Sequence, residues 1–224
     1  LKDEEYVKGH SIALVTKRGI IKKTALSAYS HPRTAGVNAV NLRDGDDLVE
    51  ALLTSGNDEV LIAARDGRCC RFNEKDAREM GRASTGVRGI NIEEDDEVIG
   101  AVSYDPSAPD ACAHSVLVVS EHGFGKRTDF DEYRITNRGG KGVKTINITD
   151  KTGSLIAIKN VTELNDLMII TKSGLTIRMK VSDIRLAGRA TQGVKLINIK
   201  DGDSIAAISC VEPDEEEASQ EPQA

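Results

Sequence analysis

Four loops of this sequence combine an arginine with small residues and a closing glycine: Arg33-Thr34-Ala35-Gly36, Arg82-Ala83-Ser84-Thr85-Gly86, Arg138-Gly139-Gly140-Lys141-Gly142 and Arg189-Ala190-Thr191-Gln192-Gly193. A loop of this kind can bring backbone N–H groups, a hydroxyl and a guanidinium to one phosphate, because glycine permits close approach of the main chain. A single arginine beside a turn is most often a solvated charge. The same feature in four successive places sets a basic group at one height around a rim, which suits a continuous polyanion. Further cations follow in equivalent positions: Arg88, Lys144 and Lys195 soon after the closing glycines, and Lys22, Lys23, Arg71, Lys126, Arg127 and Arg178 in a second set of strands. Together with Arg33, Arg82, Arg138, Lys141 and Arg189 they are the candidate phosphate contacts, and six of them, Arg138, Lys141, Arg189, Lys195, Lys126 and Arg127, are expected on one outer rim.

Other chemistries find little support. His10, His31, His114 and His122 are scattered, and no nucleophile lies in a pattern with a base. Cys69, Cys70, Cys112 and Cys210 lack the spacing of a zinc site and read as ordinary thiols. Gly123-Phe124-Gly125-Lys126 lacks the spacing of a nucleotide-binding loop and reads as a hairpin, while Asp44-Gly45-Asp46-Asp47 lacks the remaining ligands of a calcium loop. Asn147-Ile148-Thr149 and Asn160-Val161-Thr162 are glycosylation sequons only in a secreted protein. With three Phe, four Tyr and no Trp, the chain has few platforms for stacking single-stranded bases.

The elements that must position the basic loops are set by an internal repeat. Gly36-Val37-Asn38-Ala39-Val40-Asn41-Leu42 recurs as Gly86-Val87-Arg88-Gly89-Ile90-Asn91-Ile92, as Gly142-Val143-Lys144-Thr145-Ile146-Asn147-Ile148 and as Gly193-Val194-Lys195-Leu196-Ile197-Asn198-Ile199, roughly fifty positions apart. A second pattern keeps step with it, an apolar run, a turn glycine (Gly19, Gly67, Gly123, Gly174) and then a basic strand. Two patterns sharing one such period point to a propeller-like array. Within each repeat apolar and polar residues alternate, as in Val143 to Ile148, which predicts strands. About four antiparallel strands fit in fifty residues. The fold class expected is therefore all-β, with four blades at about 6–55, 56–107, 108–162 and 163–212 and one helical turn around Glu74 to Met80.

Charge agrees with this division. The 30 Lys and Arg are outnumbered by 36 Asp and Glu for a net −6, but Glu212, Asp214, Glu215, Glu216, Glu217 and Glu221 crowd the C-terminus without a base, so the body is neutral. Between Lys172 and Lys195 the basic residues Lys172, Arg178, Lys180, Arg185, Arg189 and Lys195 face only Asp183. Residues 213–224 read as a disordered acidic tail, either a phosphate mimic that competes for the basic rim or a solubilising segment. A polar N-terminus and the absence of a long apolar run exclude a membrane span and point to the cytoplasm.

The repeats, with Arg82 through Gly89, Lys126-Arg127-Thr128, Arg138 through Val143 and Gly188 through Val194, resemble the last four blades of the C-terminal domains of DNA gyrase A subunits over about residues 6–212. The resemblance implies a β-pinwheel whose basic outer edge binds and wraps double-stranded DNA, in support of ATP-dependent negative supercoiling. It also implies a non-catalytic segment of a bacterial, nucleoid-associated type IIA topoisomerase. The remainder of the gyrase A polypeptide and the enzyme's ATPase subunit would be its partners, and ATP and magnesium would bind elsewhere in the parent enzyme. The family's box, Gln-Arg-Arg-Gly-Gly-Lys-Gly, is matched at its last five positions by Arg138 to Gly142, with Thr136-Asn137 in place of its first two. The alternatives are the corresponding domain of topoisomerase IV and a propeller-like protein-interaction scaffold.

Overall fold

The computed structural model describes residues 4–30, 34–200 and 202–212. Arg33 and the acidic tail at 213–224 therefore lie outside the described residues. Among the described residues a short helix, α1 (Glu4–Gly9), precedes fifteen strands. Repeat 1 supplies β1 (Ser11–Thr16), β2 (Ile20–Ala25) and β3 (Leu48–Thr54), and repeat 2 supplies β4 (Glu59–Ala64), β5 (Arg68–Asn73), β6 (Val87–Arg88) and β7 (Val98–Tyr104). Repeat 3 supplies β8 (Ser115–Ser120), β9 (Phe124–Thr128), β10 (Val143–Lys144) and β11 (Leu155–Val161), and repeat 4 supplies β12 (Asp166–Thr171), β13 (Thr176–Lys180), β14 (Val194–Lys195) and β15 (Ile205–Val211). The helical turn expected near Glu74 is a 3-10 turn at Glu74–Asp76, capped by the Asn73 side chain accepting from the Lys75 amide.

The strands form four antiparallel sheets, which confirms the all-β reading. Their composition differs from the expected one in a single respect: each of the first three blades takes one strand from the following repeat. The sheets run β3-β1-β2-β6, β10-β5-β4-β7, β11-β8-β9-β14 and β13-β12-β15. The Gly-Val strands of repeats 2, 3 and 4 thus become edge strands of the preceding blades, and the fourth blade has three strands among the described residues. The pairing registers agree at all three junctions: Val87 lies opposite Ile21, Val143 opposite Cys69, and Val194 opposite Gly125.

The core lies between blades. One cluster joins Ala13, Val15 and Ile21 to Val60, Ile62, Phe72 and Ile90, a second joins Leu61, Ala63 and Cys69 to Val116, Val118, Tyr133 and Ile146, and a third joins Leu117 and Val119 to Leu167, Ile169, Val181 and Ile197. Successive residues of β4 point to opposite neighbours, since side chains alternate along a strand. That is why β4 and β8 are buried at every position, as expected of strands covered on both faces. At the opposite edge of the sheets, the amides of Val98, Leu155 and Ile205 donate to the carbonyls of Lys17, Arg65 and Glu121 at 2.9, 3.0 and 3.1 Å, tying each hairpin to the next blade.

Candidate nucleic-acid interface

The junctions explain both glycine patterns. At the closing glycine of each basic loop φ is positive, +102° at Gly86, +74° at Gly142 and +79° at Gly193, and a Cβ there would lie within 2.6, 2.7 and 2.6 Å of the carbonyl oxygens of Ile21, Cys69 and Gly125. Only glycine satisfies the backbone conformation and the contact together. The turn glycines complete the joint, with the amides of Gly89, Thr145 and Leu196 each donating to the carbonyls of Gly19, Gly67 and Gly123 at 2.8 Å.

These joints place each basic loop on the outer strand of the repeat before it. Arg138 donates from Nε to the Asp76 carbonyl at 2.8 Å and from its terminal nitrogen to the Arg88 carbonyl at 3.0 Å. Arg189 repeats the second bond to the Lys144 carbonyl at 3.0 Å. The Gly139 amide donates to Gly89 at 2.6 Å, the Asn91 amide to Gly140 at 2.9 Å, and the Asn147 amide to Thr191 at 3.1 Å. One hydrogen-bonded strip therefore runs from repeat 2 through repeat 4. Arg88, Lys141, Lys144 and Lys195 are exposed on it, and Arg82, Arg138 and Arg189 are half-buried. The asparagines of the repeat orient the cations, Asn91 Oδ1 accepting from Arg88 and Asn147 Oδ1 from Lys144, both at 3.1 Å.

The second set of basic residues is placed differently, which corrects the expectation that Lys126 and Arg127 share the outer rim. Lys22, Lys23, Arg71, Lys126 and Arg127 are buried, with relative exposures of 0%, 7%, 5%, 0% and 6%. Neighbouring blades and the loops of the following repeat close over these side chains, so each cation is satisfied inside the protein. Lys22 donates to the carbonyls of Ala39 and Arg82, and Lys126 to that of Gly188, so both ammonium groups sit beneath basic loops. Burial, aided by the Arg82 charge, lowers the Lys22 pKa. Burial also brings Lys126 down to about 8, with Glu132 opposing the shift and Arg189 adding to it. Lys23 pairs with Glu74 at 3.3 Å. Arg71 pairs with Glu59 and donates to the carbonyls of Phe130 and Tyr133, while Arg127 donates to the Ile184 carbonyl at 2.8 Å and pairs with Glu163 at 3.0 Å. These residues clamp blade to blade, with their charged groups held by partners inside the protein. Arg178, at the equivalent place in repeat 4, pairs with Asp166 at the surface.

Arg68 is a cation that the repeat pattern missed. It is exposed and pairs in register with Lys144, so both side chains leave the same face of blade 2. The equivalent positions in repeats 1 and 3 are Ile20 and Phe124, which hid it. The Asp44 to Asp47 cluster is a structural turn, with Asp46 accepting from the Thr16 hydroxyl at 2.7 Å and the Arg18 amide at 2.8 Å. Among the described residues no three His, Cys, Asp or Glu side chains are grouped to hold a metal. No helix among them is long and apolar enough to cross a membrane.

The family described as DNA gyrase C-terminal domain, beta-propeller, matches four times, at residues 10–55, 58–105, 114–162 and 165–212. The DNA gyrase A subunit of Ureaplasma parvum serovar 3 (strain ATCC 700970) is 45% identical over 199 residues, which covers 89% of this chain and 23% of that protein. Its counterpart in Staphylococcus aureus (strain MRSA252) is 41% identical over 212 residues, covering 95% of this chain and 24% of the relative. The chain thus spans about a quarter of the length of these curated relatives. Among solved structures, the C-terminal domain of DNA topoisomerase IV superposes with a TM-score of 0.84 at 22% identity, over 95% of this chain and 64% of that one. The DNA gyrase A C-terminal domain does so with 0.78 at 23%, over 93% and 68%.

Proposed function

The chain belongs to the DNA gyrase C-terminal domain family, and we propose accordingly that it binds double-stranded DNA along the basic strip and bends it around the outer edge of its blades. The observation that carries this reading is the fusion of the basic loops of repeats 2 to 4 into one strip by the bonds from Arg138 to the Arg88 carbonyl and from Arg189 to the Lys144 carbonyl. Fixed loops hold Arg88, Lys141, Lys144 and Lys195 at set intervals, so a rigid duplex must curve to meet them in turn. Bending costs elastic energy, which phosphate contacts at successive blades offset. The exposed cations lie on strand ends and loops rather than on an element shaped to enter a groove, so base readout should be weak. Gyrase is favoured over topoisomerase IV by the identities of 41–45% to gyrase A subunits, and the scaffold alternative leaves the recurring basic strip without a role.

In the parent enzyme this bending would present a DNA segment for ATP-dependent strand passage that introduces negative supercoils. The chain itself would be non-catalytic, with ATP and magnesium held elsewhere. Its partners would be the rest of the gyrase A polypeptide and the enzyme's ATPase subunit, and its place of work the nucleoid in the bacterial cytoplasm. A gel-shift series on short duplexes tests the reading. Affinity should fall by about 10³-fold between about 50 and 200 mM salt, as counterion release requires for several phosphate contacts, and should vary little among unrelated sequences. A response to salt that is flat, or a strong preference for one sequence, would refute it.

A further inference from the structure

Each basic loop of repeats 2 to 4 is preceded, four residues earlier, by an arginine that the strip does not use: Arg78 before Arg82, Arg134 before Arg138 and Arg185 before Arg189. The three lie 56 and 51 positions apart, as Gly86, Gly142 and Gly193 do. All three are exposed, and no hydrogen bond or ion pair holds their side chains among the described residues. Arg71, Arg127, Arg138 and Arg189, by contrast, all donate to protein carbonyls. Asp76, Asp131, Glu132 and Asp183 are close in sequence and exposed, yet none of them pairs with the three arginines. The backbone that carries the row is fixed. Glu79, Ile135 and Leu186 bridge in parallel to Lys23, Arg71 and Arg127 of the preceding blades, and the amides of Met80, Thr136 and Ala187 donate to those three carbonyls at 2.8, 2.9 and 2.9 Å. Between the arginine and its basic loop two repeats also present a bare aliphatic side chain, Ile135 at 56% exposure and Leu186 at 47%.

We propose that Arg78, Arg134 and Arg185 form a second track, which holds the phosphates of the duplex strand that the strip does not reach, with Ile135 and Leu186 against the sugars between the two tracks. The inference rests on duplex binding by the strip and adds to it the contacts that set how the duplex lies. Four residues of chain span at most about 14 Å, so each of the three arginines stands within that distance of its basic loop. The grooves of B-DNA are roughly 6 Å wide for the minor and 12 Å for the major. Tracks at this separation meet the two backbones that border one groove. An unpartnered guanidinium suits the task, since its planar fork of N–H donors matches two phosphate oxygens at once. A duplex is the fitting occupant because the row keeps the blade period at the same three junctions as the strip, and a regular polyanion presents charge at regular intervals. A single track would leave the duplex free to roll about its axis. Two tracks fix which groove faces the protein, and with it the direction in which the duplex bends. The contacts remain with phosphate and sugar, which keeps base readout weak.

Gel shifts of the whole chain on a short duplex, and on a single strand of equal length, make the test. The triple variant Arg78→Gln, Arg134→Gln, Arg185→Gln should keep the melting temperature of the parent chain. It should bind the duplex about thirtyfold more weakly at about 100 mM salt, with the slope of affinity against salt reduced by about three ions. On the single strand, which offers one backbone, the loss should stay within about threefold. Ile135→Ser with Leu186→Ser should weaken duplex binding by about threefold at every salt concentration and leave the slope unchanged, because an apolar contact releases no counterions. An unchanged slope in the triple variant, equal losses on duplex and single strand, or full duplex affinity in the apolar double variant would each overturn the proposal while the parent chain still binds through the strip. A parent chain that binds no duplex would instead remove the proposed function, and this inference with it.

Discussion

Blades 3 and 4 are written in the same pattern and end in different environments. In blade 3, β9 follows its turn glycine with Lys126 and Arg127, and every residue of the strand is buried. In blade 4, β13 follows Gly174 with Ile177 and Arg178, and no residue of the strand is buried. The difference arises outside either strand: β9 is covered by β14 and the 3-10 turn at Val181–Asp183 of the following repeat, while β13 has no fourth strand beside it among the described residues. The fate of a basic side chain here is therefore decided by the neighbour fifty residues on, and a cation that would bind phosphate at an edge becomes a clamp at a junction.

Removing matched clamps should break the two blades apart most clearly. Arg71→Met strands the buried Glu59 and frees the carbonyls of Phe130 and Tyr133, so urea denaturation should show a loss of about 3–5 kcal/mol. Arg178→Met, at a surface pair, should cost about 1 kcal/mol or less. Equal losses would mean that the neighbouring repeat does not set the value of the pair.

The glycines offer the next contrast. Gly142→Ala introduces both an unfavourable φ and a Cβ at 2.7 Å from the Cys69 carbonyl oxygen, for a cost of about 3 kcal/mol. Gly36→Ala meets open space and pays only for φ, about 1 kcal/mol. Midpoints of chemical denaturation, read at low protein concentration, separate these values.

A smaller effect follows from pH. The Lys126 pKa falls from 10.5 to about 8 on folding because the amine is buried, so between those values the unfolded chain binds more protons than the folded one. Stability must then rise with pH across this window. Relative to Lys126→Met, the parent chain should gain on the order of 2 kcal/mol between about pH 8 and about pH 10.5, and a flat difference would show that the amine is not desolvated. Repeat 4 already carries Ile177 at the equivalent place, so that blade should contribute nothing to the rise.

The smallest expected change concerns DNA. Lys144→Gln should weaken duplex binding by about threefold and reduce the slope of affinity against salt by about one ion. Asn38→Lys, which restores the cation that repeat 1 lacks at the position of Arg88, Lys144 and Lys195, should strengthen binding by a similar factor. Opposite signs at these two positions would extend the strip across the first repeat, and no effect from either would confine it.

Much of this architecture is legible in the sequence. Alternation of apolar and polar residues gives the strands, glycines at positive φ (Gly19, Gly67, Gly123, Gly174) mark the first hairpin turn of each repeat, and a shared period counts four blades. Arg88, Lys141, Lys144 and Lys195 are legible as exposed cations because they sit at loops and strand ends, where side chains reach solvent whichever blade covers the sheet. Lys22 and Lys126 are not: a lysine in a short strand reads as solvent-facing, and nothing local reveals that a loop from the next repeat will close over it with a carbonyl to accept its hydrogen bond.

The exchange of outer strands lies equally beyond the sequence. Val87–Arg88, Val143–Lys144 and Val194–Lys195 are two-residue strands, too short to carry a partner preference. By itself the sequence determined periodicity, strand identity and the positions where only glycine fits, because these depend on backbone sterics and on the amphipathic pattern within a few residues. Tertiary structure alone decided which strands pair across repeats and which cations remain free, because pairing and desolvation are properties of two surfaces brought together.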